Sequence, residues 1–179
     1  MSIDDLESAY GYGGSREKVM EAIRSLDPGE TGPHGRTAMH VAAENVDPEA
    51  METLISNGFR AGAADEYGRT PLHILAVQRW EGRTSKMAEC TDMLLANRCP
   101  PNRRDDSGRC FYHIAADMHN LPMISIIGQR RIRCDSVLES SGMNALHLVC
   151  GSGNRYDRLR ESDPDGFEAK DEMCRRMAE

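Results

Sequence analysis

The stretch Gly68-Arg69-Thr70-Pro71-Leu72-His73-Ile74-Leu75-Ala76 decides the reading, because the chain carries four versions of it. Gly35-Arg36-Thr37-Ala38-Met39-His40-Val41-Ala42-Ala43 stands before it. Gly108-Arg109-Cys110-Phe111-Tyr112-His113-Ile114-Ala115-Ala116 and Gly142-Met143-Asn144-Ala145-Leu146-His147-Leu148-Val149-Cys150 follow. The leading glycines stand 33, 40 and 34 residues apart, and each precedes its histidine by five. A lone nonamer would carry little weight. Four in register define a unit that cannot hide its apolar face alone and is built to stack on its copies.

Working outward, Thr37 caps a predicted helix running to about Glu44, and Asp47-Pro48 restarts helix with a cap and a first-turn proline. Met51, Leu54 and Ile55 supply its buried stripe, and Asn57-Gly58 ends it in the left-handed conformation. Phe59 to Tyr67 then runs as an extended finger to the next glycine. The second unit carries seven residues beyond the period, placed in Gln78 to Lys86 between its helices. Met87, Cys90, Met93, Leu94 and Leu95 mark its second helix, and Pro100-Pro101 stiffen its exit. In the third unit Asn120 caps a helix through Ile127, after which Arg130-Arg131-Ile132-Arg133 departs from the usual ending. Upstream, Asp4 to Tyr12 forms a short helix closed by Gly13-Gly14, and Ser15 caps another that buries Val19, Met20, Ile23 and Leu26.

This pattern resembles the ankyrin repeat, over residues 35–150 closely and over 1–34 and 151–179 loosely. The resemblance implies an all-α solenoid of about five helix-turn-helix units with hairpin fingers. Its single domain divides into an N-terminal cap (1–34), a repeat (35–67), a repeat with insertion (68–107), a third repeat (108–141) and a degenerate C-terminal unit (142–179). Cys110-Phe111-Tyr112 replaces Thr-Pro-Leu, Asn144-Ala145 replaces Thr-Pro, and Leu75 replaces an alanine, so the third and fourth units are expected to pack less regularly. The resemblance also gives His40, His73, His113 and His147 a structural role, hydrogen-bonding backbone groups of the adjacent loop and holding one repeat to the next.

Chemistry finds little purchase. Equivalent histidines on stacked helices stand about 8–10 Å apart, whereas zinc needs nitrogen at about 2 Å. There is no Cys-x-x-Cys, no His-x-x-x-His and no Gly-x-Ser-x-Gly, and Tyr10-Gly11-Tyr12-Gly13-Gly14 lacks the Lys-Ser/Thr of a phosphate loop. We therefore expect no metal, no cofactor and no catalysis. A net charge of −7 and a pI near 5.4 speak against nucleic acid. No apolar run reaches the roughly 18 residues of a membrane span. Six cysteines without a secretory leader point to reduced thiols in cytosol or nucleus, a host's cytosol included.

What remains is surface. The resemblance implies docking along the concave face and hairpin tips. The expected function is therefore a monomeric, non-catalytic module binding a protein or peptide there, and mapping that pattern onto this chain selects the candidate residues. The first unit offers His34, Arg36, Glu44 and Asn45, and the second offers Glu66, Tyr67, Arg69, Val77 and Gln78. The insertion adds Trp80, the third unit Asp106, Arg109, Asp117 and Met118, and the fourth Ser141 and Met143. Arg36, Arg69 and Arg109 share one phase and are expected to form a basic row for a partner's carboxylates. On this view Tyr67→Ala with Arg69→Glu weakens binding at unchanged melting. Two alternatives stand beside it. One is an ankyrin-type inhibitor of a transcription factor or other host regulator. The other is the recognition arm of a larger enzyme or effector, motivated by a last helix, Met173 to Glu179, lacking the usual Leu-Leu pair.

Overall fold

Among the described residues, the helices opening at Ala38 and Phe111 begin after residues whose side chains accept from the first turn, Thr37 and Cys110. The computed structural model describes residues 2–11, 15–78, 82 and 84–134. Its elements are α1 (Ile3–Tyr10), α2 (Arg16–Ser25), a 3₁₀ turn (Pro33–Gly35), α3 (Ala38–Glu44), α4 (Pro48–Ser56), α5 (Pro71–Val77), α6 (Thr84–Ala96), α7 (Phe111–Asp117) and α8 (Leu121–Gln129). No strand occurs among the described residues, and the fold is an all-α repeat. Trp80, Ser141, Met143, His147 and the whole fourth repeat lie outside the described residues.

Three boundaries differ from expectation. Ser2 and Asp5 form a capping box, so α1 starts at Ile3. Thr84, Ser85 and Lys86 join α6, so the insertion lengthens a helix as well as a loop. Helix α8 continues to Gln129.

Contacts divide the chain into two compact units. In the first (1–75 and 85–100), α1 packs on α2 and α3 on α4, while α1 meets α3 and α2 meets α4, pair upon pair. Leu6, Ile23, Met39, Met51 and Leu54 fill it, and fully buried Ala42 and Ala43 allow the close approach. Burying one such Leu or Ile is worth about 1.5–3 kcal/mol. In the described part of the second unit (76–84 and 101–179), α7 packs on α8 around Phe111, Tyr112, Ile124 and Ile127. There the substitution of Cys110-Phe111-Tyr112 changes the cap's chemistry without removing the cap. The Cys110 N–H still donates to His113 Nδ1 at 3.0 Å, and the buried Tyr112 hydroxyl donates to Asn102 Oδ1 at 3.2 Å.

The second helices of the three repeats, α4, α6 and α8, end alike where the sequence suggested they would not. Gly58, Arg98 and Arg131 take φ of 88°, 64° and 49°. Each is followed by the same closing bond: Phe59 N to Leu54 O, Cys99 N to Leu94 O and Ile132 N to Ile127 O, at 3.0, 3.0 and 3.1 Å. The Arg130–Arg133 run is therefore an ordinary ending. The penalty of about 1–2 kcal/mol for a left-handed non-glycine is offset by the bond and the apolar residue beyond it. Among the cysteines, Cys90, Cys99, Cys110 and Cys134 are buried. Burial, helped by the Asp47 and Glu89 carboxylates, pushes the Cys90 thiol up to about 12, so it behaves as a small apolar group.

Candidate protein-binding surface

The finger turns set the geometry. Asp65-Glu66-Tyr67-Gly68-Arg69 and Asp105-Asp106-Ser107-Gly108-Arg109 fold alike, with glycine at φ 72° and 74°. The first residue's N–H donates to the arginine carbonyl at 2.9 and 2.8 Å. Asp65 Oδ1 accepts from the N–H groups of Tyr67 (3.0 Å) and Arg69 (2.8 Å), while its Oδ2 takes Arg69 Nε (2.8 Å) and a terminal nitrogen (2.7 Å). Asp105 repeats this with Ser107 and Arg109, its guanidinium contacts lengthened to 3.3 Å. Burial pushes the Asp65 carboxyl up, but the Arg69 hydrogen bonds and charge outweigh it and hold the group below its usual range.

The first turn has Gly32 where the others have aspartate. A Cβ there would meet Ile3 Cγ2 at 2.9 Å, so a carboxylate at this place would have to displace Ile3. Arg36 instead binds Glu7 of α1 at 3.1 Å and Glu44 of α3. The three arginines thus carry bonds within their own chain, which the sequence reading had not assigned to them. One expectation is revised in consequence, from the Asp65–Arg69 pair. Arg69→Glu would set a carboxylate against the buried Asp65, so the double substitution with Tyr67→Ala would lower melting as well as binding.

The histidines sit inside the scaffold. Thr37 N–H donates to His40 Nδ1 at 3.1 Å, leaving Nε2–H to donate to Arg69 O, in the next turn, at 3.0 Å. His73 and His113 accept from Thr70 and Cys110 N–H groups in the same way, at 3.1 and 3.0 Å. Burial is the main cause of a His40 pKa below its ordinary value, the Arg69 carbonyl working the other way. The unfolded chain therefore takes up this proton first. His40's contribution is complete above about pH 6.5 and is lost as pH falls from there toward the folded value. Melting is expected to drop between pH 7.5 and 5, and the drop to shrink in His40→Gln; equal slopes in thermal melts of the two would rule the assignment out.

Caps of the second helices also reach backward, which the sequence did not disclose. Asp47 caps α4 through Ala50 N–H (3.1 Å), and its other oxygen takes the Tyr10 hydroxyl (2.8 Å) and Arg16, which also binds Glu49. Burial and the Asp47 carboxylate hold the Tyr10 phenol well above its usual pKa. Asn120, 1% exposed, caps α8 through Met123 N–H and donates to Ala76 O (2.8 Å) and Gln78 O (2.7 Å).

With these groups engaged, the exposed large apolar side chains among the described residues are Tyr67, Val77 and Met118, at 46, 42 and 39%. Tyr67 is braced: Arg69 Cζ lies 4.8 Å from its ring centroid, the His34 ring at 5.6 Å, and its hydroxyl 3.3 Å from His34 Nδ1. Glu66, Asp106 and Asp117 are exposed and Gln78 half-buried. Asn45 is drawn back onto its own helix, its side-chain amide donating to Val41 O at 2.9 Å. Asp65, Asp105 and Gly32 were the residues the sequence reading passed over; an aspartate three before the glycine was the available signal.

Comparison with known proteins agrees with this geometry. A family model for ankyrin repeats in three copies matches residues 8–86, and one for a single ankyrin repeat matches 67–106. The E3 ubiquitin-protein ligase KEG of Arabidopsis thaliana is 36% identical over 84 residues, 47% of this chain and 5% of that protein. Inversin of Mus musculus is 31% identical over 126 residues, 69% of this chain and 11% of inversin, and human inversin is 31% identical over 113 residues, 62% and 10%. The chain therefore spans about a tenth or less of the relatives it matches.

Proposed function

The chain belongs to the ankyrin-repeat family, and from that premise we propose that it is a non-catalytic module binding a protein or peptide partner through its finger tips and first-helix ends. Ankyrin repeats generally mediate protein–protein interaction. One observation supports the reading most: among the described residues, the polar groups that recur from repeat to repeat are engaged inside the scaffold, while the exposed apolar residues Tyr67, Val77 and Met118 stand at positions where the copies differ. Interfaces draw their affinity from a few such anchors, and surrounding charges set partner choice.

The test is capture from cell extract by wild type and by Tyr67→Ala/Val77→Glu/Met118→Glu. The variant is expected to melt with the wild type and to lose a defined set of captured proteins; equal recovery would refute the surface assignment. A second reading makes the chain the recognition arm of a larger enzyme or effector. It is favoured by relatives in which the matched repeats make up about a tenth or less of the protein, and sequencing the gene past the last codon tests it.

A further inference from the structure

We propose that His34, Glu66 and Tyr67 form a seat for an arginine side chain carried on a basic segment of the partner. The proposal rests on the module reading and names the chemistry of its occupant. Tyr67 is nearly half exposed, yet Arg69 and His34 fix its ring from two sides. It therefore enters a complex with its rotamer already chosen, which removes much of the ordering cost of an aromatic anchor.

The charge beneath the ring does not repel a cation. Arg69 is neutralised by Asp65, whose side chain is wholly buried. Beside the ring, Glu66 is 65% exposed, and its cation contact among the described residues is His34 Nδ1 at 3.6 Å. The same nitrogen lies 3.3 Å from the Tyr67 hydroxyl. Glu66 thus offers an exposed carboxylate beside the half-exposed Tyr67 ring. The described residues of this unit carry many more acidic than basic side chains, so the surrounding field also draws a cation. Guanidinium fits better than ammonium, because it lies flat on a ring while pairing bidentately with a carboxylate.

The experiment titrates the full ¹⁵N-labelled chain at low salt with three capped pentapeptides, glycines alternating with two arginines, two lysines or two glutamates. The arginine peptide is expected to shift the His34, Glu66 and Tyr67 amides saturably and the lysine peptide to bind about threefold more weakly, with the glutamate peptide silent. Tyr67→Ala and Glu66→Gln, each melting as the wild type, are expected to weaken the arginine peptide about fivefold. Shifts centred elsewhere, no shift at all, equal response to arginine and glutamate, or undiminished binding by Tyr67→Ala would each overturn the seat. A partner retained by Tyr67→Ala but lost with Val77→Glu/Met118→Glu would overturn the seat and leave the module reading standing.

Discussion

Asp65→Ala is expected to lower the unfolding free energy by about 3 kcal/mol, the low end of the cost of breaking a buried ion pair from one side. The aspartate side chain is fully buried and gathers two backbone N–H groups and the Arg69 guanidinium. Its removal strands all three, but Arg69 is 36% exposed and regains water, which keeps the loss from growing larger. Asp65→Asn retains one acceptor and should cost about half as much. Asp105→Ala should cost less than Asp65→Ala, its guanidinium contacts being longer at 3.3 Å. Because the folded Asp65 pKa is lowered, this stabilisation is present above the unfolded carboxyl pKa and disappears as pH falls through the folded one. Urea unfolding at pH 7 reads all three variants, and a change near zero for Asp65→Ala would show the turn to be held by backbone alone.

Asn120→Ala is expected to cost about 3 kcal/mol as well. Roughly 1 kcal/mol is the helix cap, and about 1 kcal/mol comes from each carbonyl left without its donor. Asn120→Asp separates the two jobs. Aspartate caps a helix as well as asparagine does, but its second oxygen would face Ala76 O and Gln78 O, where the amide now donates. The Asp variant should therefore be at least as unstable as the Ala variant in the same urea titration. A near-neutral Asp variant would mean that Asn120 is a cap and nothing more.

Local chemistry was legible in the sequence, and chemistry between distant residues was not. Thr37, Asp47 and Asn120 declare themselves as caps because the bond they make closes within three residues. The backward bonds of Asp47 to Tyr10 and Arg16 span 37 and 31 residues and depend on how one helix pair lies on the next. The Asp65–Arg69 pair is only four residues long. Starting each repeat at its glycine separated Arg69 and Arg109 from their aspartates, and Arg36 pairs with Glu7 and Glu44 instead, so three bonded cations read as a row open to a partner. Arg131 shows the converse: a helix end without glycine looked irregular, although it takes the left-handed turn and is followed by the same closing bond, Ile132 N to Ile127 O. Tyr67, Val77 and Met118 were singled out by mapping the ankyrin docking pattern onto the repeat phase, and all three are exposed.

The most direct test measures melting and partner capture together on two sets of variants. Asp65→Ala and Asn120→Ala alter scaffold joints; Tyr67→Ala and Val77→Glu/Met118→Glu alter the exposed residues. The account predicts that the first set loses melting temperature and capture in step, and that the second loses capture at the wild-type melting temperature. Joint variants that melt normally yet fail to capture, or surface variants that unfold, would contradict it.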